Sequence, residues 1–352
     1  MSGGPSSDAI TAADAPTGYI ARPPSPGELL WDRLFRQGTL AIAVLTVLVT
    51  LYIVFSIGRV AIPAIQTYGW RFISGQTWDA NKSVYGILPA IVGTLYSSIL
   101  GLILGTLFGL SIAIFLSEHF FALALTNVVR SLGLEGRSFW DALPDNIENL
   151  LRTIIELLAA IPSVVYGLWG IFVVIPLIRP PANWLHDHLG WIPIFNTPLS
   201  GPGLLPASIV LAIMVLPTIS AISRDALIAV PPKIREAAYG LGATRWEAIL
   251  AVFIPTAATG ILGAILLGFG RALGETMALA MLAGNANVLS WSFFSPANTL
   301  AALLANHFPE AATDEVAALM YAALVLLGIT LIVNILGTLV LQRANRELEG
   351  LR

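Results

Sequence analysis

The chain has 352 residues, 56% of them hydrophobic and 11% charged, with a formal net charge of -3. Soluble domains carry about 25% charged residues, so this composition, with a mean hydropathy of +0.81, excludes an ordinary soluble fold and points to a polytopic, all-α membrane protein. The small net charge and the lack of any Lys/Arg run exclude a nucleic-acid binder, and the absence of cysteine excludes disulfides, thiolate metal sites and cysteine nucleophiles.

Residues 1–37, which open MSGGPSSDAITAADAPTGYIARPPSPGE, are small, polar and rich in Pro, Gly and Ser. No core can form from them, and they predict a disordered tail rather than a secretory leader. A helix needs about 20 mainly apolar residues to cross a bilayer, and six stretches meet this: 39–58, 92–116, 153–178, 204–222, 253–283 and 316–341. The resulting map has a first transmembrane helix over 38–60, an outer loop over 61–91, a transmembrane core over 92–341 and a short tail over 342–352. Pro162, Pro206 and Pro217 predict kinks, which membrane helices tolerate when neighbours re-satisfy the freed carbonyls.

Loop charges set the orientation. The N-terminal tail (Arg22, Arg33, Arg36), the 117–152 loop (Arg130, Arg137, Arg152), the 223–252 loop (Arg224, Lys233, Arg235, Arg245) and the C-terminus (Arg343, Arg346, Arg352) hold thirteen cations. The opposite loops hold four: Arg59, Arg71, Lys82 and Arg179. Positive loops stay inside, so both termini are expected in the cytoplasm of a cell with an inner membrane, and Trp70, Trp78, Trp184, Trp191 and Trp291 fall in outer loops where indoles favour the interface. Glu156 lies one turn after Arg152 and reads as its surface partner. His186 and His188 flank Asp187 without a third ligand at matched spacing, His119 and His307 are isolated, and all read as solvated rather than metal-binding.

Between the fourth and fifth spans, PPKIREAAYGLGATRWEAILAVFIP (Pro231 to Pro255) predicts a helix-turn-helix. Pro231-Pro232 suits a first turn, Gly240 and Gly242 end that helix, and Thr244 with Glu247 has the form of a capping box opening a second. The alanines predict a surface that another protein's backbone approaches closely. In the fifth span, Arg271 and Glu275 interrupt an apolar run, and a charge at bilayer depth costs about 2.5 kcal/mol or more. On a continuous helix they are i and i+4 neighbours in the less favourable order, Arg first, beside a ridge of Gly270, Gly274 and Ala278 that admits a close partner helix. The pair is therefore expected to face a helix interface or wet cavity. In the outer loop 287–316, the Ala/Leu-rich stretch Thr299 to Asn306 fits either a short helix or an inert loop, and Asn334 in the last span offers a bond across helices.

Glu236, Ala237, Ala238, Gly242, Val252, Ile254 and Pro255 give the Pro231–Pro255 segment its resemblance to the EAA loop of ABC importer permeases; Val252 and Ile254 depart conservatively from the usual Ile and Leu. The resemblance implies a MetI-like permease fold and a loop that docks into an ATP-hydrolysing partner. Neither lysine, Lys82 or Lys233, lies in a Gly-Lys-Ser/Thr loop, so ATP and Mg belong to that partner and this chain needs no cofactor, no metal and no catalytic residue. ELLAAIPSVVYGLWGIFVV (Glu156 to Val174) and GRALGETMA (Gly270 to Ala278) resemble permease subunits of the phosphate importer, the PstC-type more than its PstA-type partner. That likeness spans about residues 85–340 and implies a second permease subunit, a dimeric ATPase and an extracytoplasmic phosphate-binding protein. It also implies a role for Arg271 and Glu275 in the substrate path; Thr276 is placed there with them, and the hydroxyls of Thr276, Ser163 and Tyr166 suit either hydrogen bonds to an oxyanion or packing. A guanidinium suits a divalent oxyanion, and Glu275 is expected to hold Arg271 until the anion exchanges for it. Molybdate or sulfate fits the same chemistry. An ion-coupled carrier is the competing class, opposed by the EAA loop and by the lack of an inverted repeat.

Overall fold

The computed structural model describes residues 26–118, 120, 126, 130, 131 and 138–349. The tail over 1–25 and most of the 119–137 loop, including His119, lie outside the described residues. The chain falls into two units, Met1–Ser56 and Ile57–Arg352. In the first, the described residues are helical from Pro26 onward and nearly all exposed. Leu40, Leu45, Ile53 and Phe55 are among the large apolar side chains left open, as suits a helix whose solvent is hydrocarbon. Residues 26–37, assigned to the tail from sequence, are thus helix: Pro26 fits a first turn and Leu30, Leu34 and Phe35 follow at helical spacing.

Helix α1 (Pro26–Ser74) extends well into the expected outer loop 61–91 and leaves helical geometry at Gly69, whose φ of 48° needs a residue without a Cβ. A two-stranded hairpin follows, β1 (Trp78–Asp79) antiparallel to β2 (Val84–Tyr85). Phe72 stacks on Tyr321 at 4.5 Å, and Tyr85, Leu300 and Leu303 complete this buried cluster.

The core helices are α2 (Leu88–Ser117), α3 (Ser138–Ala160), α4 (Ser163–Leu189, with a π turn over Gly170–Val174) and α5 (Leu204–Ile228). They continue with α6 (Pro232–Gly240), α7 (Arg245–Thr256, with a π turn over Ile249–Phe253), α8 (Ala258–Gly274), α9 (Met277–Leu282), α10 (Leu300–His307) and α11 (Thr313–Glu349). Among the described residues five helices are long and apolar enough to span a membrane, or six when α7 and α8, bent by 71°, count as one span. Two expected spans are corrected. The stretch 153–178 is not one helix: Pro162 has φ -60° and ψ 140° and separates α3 from α4, because proline offers no N–H and keeps its predecessor from helical geometry. The stretch 253–283 is divided among α7, α8 and α9. Of the expected kink sites, Pro206 sits in the first turn of α5, where its missing N–H is harmless, and only Pro217 lies inside that helix.

The most extensive packing joins α2 to α5. Gly101, Gly105 and Gly109 recur every fourth residue, and their would-be Cβ positions lie 3.1 Å from Leu211, 2.6 Å from Val215 and 3.1 Å from Ile219. Lipid tails are as apolar as leucine, so close backbone approach and dispersion, rather than the hydrophobic effect, hold such helices together. Gly105→Val should force α2 and α5 apart and cost about 1–3 kcal/mol, read as a lower unfolding midpoint in detergent. Gly263→Ala, whose Cβ would meet only Leu341 at 3.8 Å, should leave that midpoint unchanged or raise it.

Candidate functional site

Arg271 and Glu275 do not share a helix face. Helix α8 ends at Gly274, Glu275 is extended (φ -67°, ψ 125°), and the chain re-enters helix at Met277. Arg271 therefore occupies the last turn of α8, where the negative end of the helix dipole favours a cation. The Glu275 carboxylate accepts from the Ala278 N–H at 3.3 Å, an anion on the first turn of α9, again the favourable end. Thr276 Oγ1 donates to the Gly274 carbonyl at 3.1 Å. The expectation that Glu275 holds Arg271 is thus corrected: among the described residues no ion pair joins them and no acceptor bonds the Arg271 guanidinium, which is exposed on this chain. The unfavourable Arg-before-Glu order loses its meaning, because it applies only to a helix running through both residues.

Two sequence-remote elements hold the break. Ser98 of α2 donates to the Ala272 carbonyl at 3.2 Å, a second donor beside the Glu275 N–H that the same terminal carbonyl accepts at 3.4 Å. On α4, the Cβ positions of Gly167 and Gly170 would lie 2.6 Å from Met281 and 2.7 Å from Leu282, so α9 seats directly on them. Tyr166, buried next to Gly167, donates to the Leu158 carbonyl at 2.7 Å. The stretches Glu156–Val174 and Gly270–Ala278 are therefore one packed unit. The ridge read as Gly270, Gly274 and Ala278 is not a single surface. Gly270 faces Asn334 of α11, with 3.7 Å from its Cβ position to the amide oxygen, Gly274 meets open space, and Ala278 is buried. Asn334 makes no side-chain hydrogen bond among the described residues.

The loop between α5 and α8 forms as the residue pattern predicts. Pro231 precedes α6, Leu241 follows it, and Gly242 takes φ +87° while its N–H donates to the Tyr239 carbonyl at 3.0 Å. Thr244 and Glu247 form a complete capping box. Glu236 and Ala237 are exposed, but Ala238 is 6% exposed and packs with Phe253, Leu227 and Ala248. Only one of the two alanines, then, lies on the outward surface, because a helix turns successive residues by about 100°. Beyond it Leu241 is 90% exposed. Pro255 follows the π turn of α7 and precedes the 71° bend, where a residue without an N–H interrupts the ladder.

Several partnerships escaped the sequence reading. His307 is not isolated: its Nδ1 lies 3.1 Å from Glu315 Oε1, which also accepts from Trp78 Nε1 at 3.1 Å. Arg235 contacts Glu118 at 2.6 Å, a pair separated by 117 positions that no spacing rule could find. The Arg152–Glu156 pair forms at 2.8 Å, and of the two readings open for Thr299 to Asn306 the helix is the one that forms, α10, opened by Thr299 accepting from the Ala302 N–H. His186 Nδ1 sits 2.8 Å from the Phe195 carbonyl and His188 Nδ1 2.9 Å from the Trp184 carbonyl, each at the end of α4. Ser163 opens α4 and is partly buried.

A bundle of apolar helices carrying an exposed helix-turn-helix before a bent span defines an ABC importer permease fold. The solved bacterial alginate ABC transporter in complex with its pentasaccharide-bound periplasmic protein shares it, with a TM-score of 0.52 at 17% identity over 88% of this chain and 95% of that one. The family model for binding-protein-dependent transport system inner membrane components matches residues 144–346. The phosphate transport system permease protein PstC of Pasteurella multocida is 37% identical over 324 residues, 91% of this chain and 94% of that protein. The probable phosphate transport system permease protein PstC of Methanocaldococcus jannaschii is 34% identical over 291 residues, 80% and 85% of the two. The chain belongs to the binding-protein-dependent inner membrane component family and, within it, to the PstC-type permeases.

Gly242→Ala places a Cβ in left-handed geometry at a cost of about 1–2 kcal/mol. It should speed amide hydrogen exchange over residues 239–247. Gly240→Ala, with nothing within 4 Å of its Cβ position, should leave exchange there unchanged.

Proposed function

We propose that this chain is the transmembrane permease subunit of an ATP-driven importer that moves inorganic phosphate across the cytoplasmic membrane. The observation that carries the reading is the Arg271 guanidinium, exposed at a helix break with no carboxylate on it among the described residues, in a chain whose relatives are named phosphate permeases. A guanidinium offers a planar pair of donors that matches two oxygens of a divalent anion and stays charged at any physiological pH. With Glu275 engaged by the Ala278 N–H, the anion need not displace a bound carboxylate before it meets Arg271. Glu275 and Thr276 act instead by fixing the break that presents the cation.

The power stroke comes from elsewhere. A dimeric ATPase carrying ATP and Mg docks against the loop of Glu236, Ala237, Ala238, Gly242 and Pro255, with Glu236, Ala237 and Leu241 as the outward contacts. A PstA-type permease completes the path, and an external phosphate-binding protein delivers the cargo. The cation bias of the loops supports both termini and this loop on the cytoplasmic side. Closure of the ATPase pushes the loop and swings the spans between two openings.

In membranes carrying the complete complex, labelled phosphate uptake should require ATP and resist competition by sulfate or molybdate. Arg271→Gln should reduce uptake to background while the subunits still copurify. Near-normal uptake by that variant would remove Arg271 from the path, and equal competition by sulfate or molybdate would transfer the reading to another oxyanion.

A further inference from the structure

Coupling a loop on one face to a path inside the membrane requires a stiff joint, and α6 has little with which to make one. It is nine residues long, linked to α5 by Ala229–Pro231 and to α7 by Leu241–Thr244. Among its apolar side chains, Ile234 is half-buried, Ala238 buried, and Tyr239, largely exposed, meets the Phe253 ring edge-on at 6.0 Å. None of these apolar contacts ties α6 to the ends of α2 and α5 through a directional bond.

Arg235 supplies what those contacts lack. Its Nη1 donates to Glu118 Oε1 at 2.6 Å, and Glu118 caps the C-terminal end of α2. Its Nη2 donates to the Leu227 carbonyl at 2.6 Å in the last turn of α5. Its Cζ lies 4.5 Å from the centroid of Phe253, a fully buried ring that closes the π turn of α7. One guanidinium thus touches α2, α5 and α7 at once, and two of those contacts fall at helix C-termini, where the backbone dipole favours a cation. Its side chain is 22% exposed and that of Glu118 9%, so water does little to weaken the ion pair. Arginine suits the place because its flat fork bonds two acceptors while its face stacks on a ring, a combination an ammonium cannot reproduce.

We propose that Arg235 is a positioning residue that locks the coupling helix α6 to α2, α5 and α7, so that a push on α6 moves these membrane helices as one body. The inference deepens the coupling role given to this loop above and rests on it. Without the lock, ATP-driven displacement of α6 dissipates as tilt of α6 alone.

The test uses Arg235→Lys, Arg235→Ala and Glu118→Gln in the complete complex. The first readout needs no cargo: amide hydrogen exchange over residues 232–240, with 258–274 as the internal reference. Arg235→Lys and Arg235→Ala should speed exchange in α6 alone, with Glu118→Gln intermediate. The second is phosphate taken up per ATP hydrolysed in proteoliposomes supplied with the binding protein. Arg235→Lys should lower that ratio at least about fivefold, the low end of coupling between distant sites, in complexes that elute intact. Unchanged exchange in α6 would overturn the lock. So would uptake and ATP hydrolysis falling by the same factor, since a general loss of folding lowers both and leaves their ratio alone. If the wild-type complex moves no phosphate, the proposed function fails instead, and the exchange measurement still judges Arg235.

Discussion

Inside hydrocarbon an unpaired peptide group has no water to turn to, and the chain nevertheless abandons helix between Gly274 and Met277. Side chains and backbone close by cap several of the groups that this break frees. Ser98 reaches the Ala272 carbonyl, Thr276 takes the Gly274 carbonyl, and Glu275 takes the Ala278 N–H. The break places Arg271 at a helix end that welcomes positive charge and engages Glu275 with the Ala278 N–H, so that among the described residues no carboxylate pairs with the guanidinium.

The break in turn depends on backbone approach. Ser98 can reach α8 only because α2 lies against α5 along Gly101, Gly105 and Gly109, and Gly268 of α8 comes within 2.9 Å of Ile219 of α5 at its Cβ position. From the other side, Gly167 and Gly170 let α4 seat against Met281 and Leu282 of α9. Small residues do here what large apolar ones do in a soluble core, since burying a leucine gains nothing over leaving it in lipid. This explains why so many large side chains, Leu107, Phe172 and Leu336 among them, remain exposed on this chain without loss to its packing.

At the far end of the same helices, charge replaces small size as the organising device. The guanidinium of Arg235 collects the C-terminal end of α2, the last turn of α5 and the π turn of α7, while Glu236 and Ala237 of the EAA-like pattern face outward beside it. The loop thus has two faces with different chemistry. One, with Glu236 and Ala237, is open for a partner, and the other, with Arg235 and Ala238, is fixed to the chain's own helices.

Local chemistry was readable from the residues alone. Apolar length marked most of the spans, Thr244 and Glu247 announced their capping box, Gly242 its turn, and Arg152 with Glu156 their pair, because each rests on neighbours within four positions whose geometry the backbone fixes. Tertiary structure alone decided the rest. A proline and a glycine announce that a helix can stop, but whether 253–283 runs on or divides depends on Ser98, 174 positions from the carbonyl it bonds, and on Gly167 beneath α9. The same holds for Arg235 with Glu118 and for His307 with Trp78 through Glu315: a hydrogen bond senses distance in space, and only the folded chain brings such residues within three ångströms or so.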